Sequence, residues 1–297
     1  MIPGSLPLVL SAYKASASGS KFSFDQQSAL TCSEKRAMLV DAIRFANVDS
    51  PGASLSLLSM ELRLGRVPLT NGMVPVAHLA PIANQLATAA QYYAPGDGFV
   101  EWRFARPLFV PPGLGLHPLF GINTVGGITG VVSSFSTAVL ARVMPANFPA
   151  LNKVAVPYVT SYGLNAPDIA GGADAGSIDV PPDTLSAPGD AEVFHVQYIG
   201  VRPLNMSSKD DMASYVDEAR NMTLTLHRAN GDAIIPRATP VRMVGGQGWA
   251  LPVKLDLKRG EPLYAHIDYD FSAFSASLKF RPSVQLIGWR EVDLREV

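Results

Sequence analysis

Breaker residues constrain this chain more than any other feature. Twenty-five glycines and 24 prolines are spread through 297 residues, and they cut the sequence into short runs rich in Val, Leu, Ile, Phe and Tyr. A helix interior loses a hydrogen bond and gains a clash at each proline, whereas turns and edge strands accept both breaker types. Helical periodicity is correspondingly scarce, and the pattern predicts an all-β protein. Leu55–Leu64 shows the alternation most cleanly, with Leu58, Met60, Leu62 and Leu64 on one face and Ser59, Glu61 and Arg63 on the other.

Further strands are predicted over Arg36–Asn47, Val74–Ile82, Phe99–Val110, Leu114–Phe120 and Ser136–Met144. After a Pro/Gly-rich stretch the pattern restarts with Glu192–Pro203, Met222–Arg228, Ala233–Ile235, Thr239–Val244, Trp249–Leu257, Pro262–Tyr269, Ser277–Phe280 and Val284–Val292. Short helices are expected at Ala83–Tyr93 and Ser207–Ala219. The implied division is an extended N-terminal arm over 1–33, a first sandwich over 34–150, a linker or long loop over 151–190 and a second sandwich over 191–297.

The halves also resemble each other. Trp102-Arg-Phe-Ala-Arg-Pro-Leu-Phe-Val-Pro-Pro-Gly113 and Trp249-Ala-Leu-Pro-Val-Lys-Leu-Asp-Leu-Lys-Arg-Gly260 each open a strand on tryptophan and close its turn on glycine. An apolar strand follows each glycine, and a hairpin would explain the pair. About eight strands per half point to two tandem jelly-roll sandwiches, a double jelly roll. Two immunoglobulin-like sandwiches or one irregular β domain are the alternatives.

Hydrophobic residues make up 47% of the chain and charged residues 16%, below the roughly 25% of an ordinary soluble domain. That shortfall fits either a surface covered by other subunits or a large, well-buried monomer. The net charge of −1 provides no global field for nucleic acid or an anionic membrane. Residues up to Thr160 carry 11 basic and 7 acidic side chains and the remainder 13 and 18, an asymmetry that fits either attraction between unlike halves of neighbouring copies or a chance imbalance. Cys32 is the only cysteine, so an intrachain disulfide, a CxxC pair and a multi-cysteine zinc site are excluded. Met1–Leu10 lacks a basic segment ahead of its short apolar run, and no cleaved secretory signal is expected. Without secretion, the sequons at Asn205 and Asn221 are accidental. Pro118–Ala141 is uncharged and long enough to span a bilayer, but Asn123, Gly126, Gly127 and Gly130 break it into a loop and a strand.

No GxSxG elbow, HExxH, P-loop or Rossmann fingerprint occurs, and no enzyme, cofactor or metal is expected. Gly245-Gly-Gln-Gly248 falls between strands and reads as a loop rather than a phosphate cradle. His78, His117, His195, His227 and His266 are isolated in sequence; His195 and His266 could still meet in space as metal ligands, and each reads more simply as a polar strand residue. Asp210, Asp211, Asp217 and Glu218 fit a solvated helix face. Trp102, Trp249 and Trp289 fit core or interface anchors, or alternatively a sugar platform. Lys35-Arg36 and Lys258-Arg259 are too sparse for a nucleic-acid-packaging arm.

In its arm, tandem sandwiches and Trp–Gly repeat, the chain resembles the double jelly-roll major capsid proteins of tailless icosahedral viruses, especially bacteriophages with an internal membrane. The resemblance implies a non-enzymatic virion protein, made in the host cytoplasm, whose homotrimers form pseudo-hexameric capsomers. Its partners would be neighbouring capsomers and vertex proteins, with the N-terminal arm reaching toward a membrane and no sequence-specific nucleic-acid binding. A carbohydrate-binding or carbohydrate-processing tandem sandwich, or a minor vertex or spike protein, is the alternative.

Overall fold

The computed structural model describes residues 6–18, 21–24, 30–31, 36–47, 58–76, 79, 99–122, 134–144, 152–162, 169–170, 172, 174–180, 193–203, 221–240, 251–273, 279–280, 282–293 and 295. The first half contains β1 (Leu6–Ser18), β2 (Lys21–Phe24), β3 (Leu30–Thr31), β4 (Met38–Asn47), β5 (Leu58–Leu64), β6 (Val67–Pro68), β7 (Val74–Pro75), β8 (Phe99–Val110), β9 (Gly115–Ile122) and β10 (Ser134–Val143). The second contains β11 (Lys153–Tyr162), β12 (Ile169–Ala170), β13 (Gly176–Val180), β14 (Val193–Pro203), β15 (Met222–Arg228), β16 (Ala233–Pro240), β17 (Leu251–Lys258), β18 (Leu263–Tyr269), β19 (Lys279–Phe280) and β20 (Pro282–Asp293).

Strand order identifies the architecture. In the first half one sheet runs β1-β10-β4-β8, extended by β2 beside β1, and the other runs β3-β9-β5-β6, with β7 also on β5. In the second half the sheets run β11-β20-β14-β17 and β13-β18-β15-β16, with β12 and β19 as a separate pair. Numbering the eight principal strands of each half along the chain gives 1-8-3-6 facing 2-7-4-5 both times. That is the double Greek key of a jelly roll, so the chain is a double jelly roll. Every ladder among these strands is antiparallel.

The alternation of apolar residues fills each sandwich. Val40, Phe45, Leu64, Leu108 and Val139 are wholly buried in the first, and Phe194, Leu224, Leu226, Leu257, Leu263 and Leu286 in the second. Each such side chain contributes roughly 1.5–3 kcal/mol on leaving water. The first core does not stop at the half boundary: Val154, Val156, Val159, Ile287 and Val292 belong to it.

Several expectations change. The arm expected over 1–33 is largely sheet, because Leu6–Ser18 pairs with β10 and Leu30–Thr31 with β9. Small Ser and Ala side chains hide β1 in the sequence, and its register slips between Val9 and Ser11, so period-2 counting fails there. The linker expected over 151–190 contains β11, β12 and β13. Pro157 is accommodated because β11 is the outer member of its four-stranded sheet, where proline is tolerated. Ala233–Ile235 and the start of Thr239–Val244 form one strand, β16. Both expected helices, Ala83–Tyr93 and Ser207–Ala219, lie outside the described residues, as do Cys32 and Gly245–Gly248.

The internal repeat is real but differs from its sequence form. Gly113 and Gly260 adopt φ of 78° and 72°, and Leu114 N and Glu261 N bond back to Pro111 O and Lys258 O. These are equivalent turns, yet neither closes a hairpin: β8 pairs with β4 and β9 with β5, so the turn crosses between sheets. Register also separates the tryptophans. Trp102 pairs with Ile43, whereas the corresponding Ile199 pairs with Leu251. The bulge in β8 holds two more residues than that in β17, so Leu251 occupies the place of Trp102 and the equal spacing is a coincidence. Trp249 itself lies outside the described residues. A repeat invisible in sequence replaces it, since the third strand of each half slips once against both neighbours, at Asp41 in β4 and at Gln197 in β14.

Gly288 faces that second slip. A Cβ there would lie 2.0 Å from His195 O, a backbone atom that cannot step aside. Gly288→Ala is therefore expected to destabilise by more than about 3 kcal/mol, and urea denaturation giving a loss under about 1 kcal/mol would contradict this packing.

Candidate functional site

The residues joining the halves form the most specific arrangement among the described residues. Leu69, Thr70 and Asn71, from the first half, lie alongside the outer edge of β11. Asn71 N donates to Val159 O at 3.0 Å, and Val159 N donates to Leu69 O at 3.2 Å. Thr70 and Val159 form a parallel bridge, and Asn71 Nδ2 donates to Thr160 Oγ1 at 3.1 Å. Thr70 is itself fixed, accepting from Leu62 N at 3.1 Å and donating to Gly72 O at 2.9 Å. An exposed sheet edge of the second sandwich is thereby covered by the first.

β20 is held on both its faces. Arg290 is 0% exposed, donates from Nη2 to Pro68 O at 2.8 Å, and places its guanidinium 4.9 Å from the Tyr158 ring centre. On the opposite face, Arg106 from the β8 bulge lies 3.8 Å over the Trp289 ring, and His195 stacks on that ring at 4.0 Å and 21°. Two planar groups this close to one ring centre occupy its two faces. The bulge that displaces the tryptophan repeat therefore carries Arg106 to the second half.

A second charged set lies on the first sandwich. Glu101 Oε2 accepts from Arg44 Nε at 2.5 Å, and Oε1 accepts from Arg103 Nη2 at 2.5 Å. Burial pushes the Glu101 carboxyl upward, but the two guanidiniums together outweigh it and hold the group below its ordinary 4.5. Arg142 grips Asp41, the bulge residue, through Nη2 at 2.8 Å and Nε at 3.1 Å.

The histidines do not converge. His195 is on β14, with Nδ1 2.7 Å from Asp256, while His266 is on β18 in the facing sheet, between Asp179 and Asp268. Both point outward from opposite sheets of the second sandwich, so the expected meeting does not occur. His227 stacks on Tyr264, His117 is exposed on β9, and His78 lies outside the described residues. Among the described residues no group of three His, Cys, Asp or Glu side chains could hold a metal ion. Trp102 is buried in the first core, and both faces of Trp289 are covered, so neither presents a free platform. Asp210, Asp211, Asp217, Glu218, Lys35 and Asn205 lie outside the described residues, while Arg36, Asn221, Lys258 and Arg259 are exposed. No described helix is long and apolar enough to cross a membrane.

No protein-family model matches the chain, and neither does any curated protein. Among solved structures it is similar to VP54 of PBCV-1, fitted into a reconstruction of the virophage Sputnik, at 10% identity over 97% of this chain and 94% of that one, with a TM-score of 0.42. It is similar to the mavirus major capsid protein at 7% identity over 95% and 86%, with a TM-score of 0.32. A protein of an archaeal virus with a triple jelly-roll fold and turret assembly matches at 9% identity over 98% of this chain and 61% of that one, with a TM-score of 0.23. These superpositions are loose, and the fold stands on the strand order of this chain itself.

Arg290→Ala leaves the Pro68 carbonyl without its buried donor, and is expected to cost about 3 kcal/mol. Separate urea transitions for the two halves would show that this contact couples them, whereas wild-type stability would show that it does not. Glu101 behaves as a depressed carboxylate, so its stabilisation is present above about 4.5 and is lost as pH falls through its folded value. Glu101→Gln should cost about 1 kcal/mol at neutral pH and flatten the acid limb of the stability profile; an unchanged limb in urea titrations from pH 6 to pH 3, on the order of its range, would contradict this.

Proposed function

We propose that this chain is the structural subunit of an icosahedral viral shell and acts as a homotrimer. The observation that supports this reading best is the repeated strand order on one chain, with the two sandwiches fastened at the seam of Leu69–Asn71, β11 and Arg290. A subunit with two like sandwiches in fixed relation gives six in a trimer, close to hexagonal symmetry, and one such unit tiles a near-hexagonal lattice. The small share of charged residues agrees with wide lateral contacts between copies.

In this reading the trimer meets other capsomers and vertex proteins in the virion, after synthesis in the host cytoplasm. A bacteriophage-type particle with an internal membrane is the version we favour. Membrane contact through the N-terminus is not assigned to Leu6–Ser18, which is sheet. The chain neither catalyses a reaction nor reads a nucleic-acid sequence. The sugar-binding alternative draws nothing from Trp102 or Trp289, whose rings are covered.

Size-exclusion chromatography with light scattering should give a particle of three times the 31.6 kDa chain, and negative-stain images of it should show a hexagonal outline. A monodisperse monomer at shell-forming concentrations would overturn the proposal.

A further inference from the structure

His266 stands between two carboxylates that the proposed function does not use. Its Nδ1 lies 2.6 Å from Asp179 Oδ1, on β13, and its Nε2 lies 3.1 Å from Asp268 Oδ1, two positions along its own strand. An ionised carboxylate only accepts hydrogen bonds, and a neutral imidazole carries one N–H. Satisfying both contacts therefore requires the imidazolium. If the ring loses a proton, one carboxylate faces a nitrogen lone pair and must move. Asp268 shares a strand with His266, whereas Asp179 is 83% exposed and sits on a strand paired on one side only.

We propose that His266 is a proton-operated clamp that fastens the edge strand β13 to the second sandwich. The inference stands whether or not the chain builds a shell. The remainder of β13 is held without charge. Ile178 and Val180 point into the core, and Tyr269 lies over Gly176 so closely that a Cβ there would sit 2.7 Å from its Oη. The clamp is thus the one polar tie on the outward side of this strand among the described residues. The other groups around the ring are Thr225, opposite it on β15, and His227 and Tyr264, which stack on each other. None of the three brings a further carboxylate to the ring.

The Asp179 hydrogen bond is the main influence on the imidazole and raises its proton affinity, burial opposes it, and Asp268 adds to the rise. The folded value therefore lies above the ordinary 6.5. A raised folded value means the clamp is fully closed below 6.5 and releases as pH rises through the folded value. Release also makes this outward face more negative by one charge.

Hydrogen exchange of the β13 amides in the full-length protein tests this, with His266→Gln as the reference that cancels the intrinsic pH dependence of exchange. Relative to that variant, wild-type β13 should exchange roughly threefold to fivefold more slowly near pH 5.5, on the scale of a partly exposed ion pair, and at the same rate near about pH 8.5. Asp179→Asn should abolish the difference at low pH while leaving the β15 and β18 amides protected. A wild-type-to-variant ratio that is the same at both pH values, or an Asp179→Asn protein that behaves as wild type, would overturn the clamp.

Discussion

The relation between the two sandwiches depends on one buried cation. Arg290 is enclosed where the second sandwich meets the first, and a guanidinium removed from water demands oriented acceptors. The carbonyl of Pro68 is one such acceptor and belongs to the other half. Because the contact is specific in direction as well as position, it fixes where β6 must end, and the chain leaving β6 then runs directly onto the edge of β11. Apolar contact across the seam, through Val154, Val156, Val159, Ile287 and Val292, is non-directional and would tolerate sliding. The polar contacts set the register that the apolar ones then fill.

The repeated topology is joined by a repeated irregularity. Asp41 and Gln197 are both squeezed out of the third principal strand, each against two neighbours. A bulge bends its strand and increases local twist, so the same device curves the same sheet in both halves. Chemistry at the two positions differs. Asp41 is buried and gripped by Arg142, whereas Gln197 is half-buried. What is duplicated is the backbone bend, and the side chains answer to local surroundings.

How much of this was legible depended on which signal carried it. Strands with clean alternation, such as Leu58–Leu64, or bounded by turn residues, such as Phe99–Val110 and Met222–Arg228, could be located from period-2 patterning alone. β1 could not, since its ladder slips between Val9 and Ser11 and its run of Ser and Ala residues weakens the pattern. β11 fell inside the stretch read as a linker, and its Pro157 is accommodated by an edge position that only tertiary structure supplies. The Trp–Gly pair shows the opposite failure, in which half a motif was right. Gly113 and Gly260 share a turn that needs positive φ, while the tryptophan spacing arose from bulges of unequal length. The seam and the His266 cluster unite residues from 87 to 222 positions apart, distances over which no local pattern reports.

The prolines of the strands have a consequence beyond their own hydrogen bonds. Pro107, Pro236 and Pro252 sit on strands at the margins of their four principal-strand sheets, while Pro157 lies on the β11 edge that Leu69–Asn71 already covers. A proline there offers no donor to an incoming strand. Such an edge is a poor template for an added strand, whichever chain offers it. Any association at these margins is left to side chains, whose complementarity can be undone, rather than to backbone ladders, which would make it permanent.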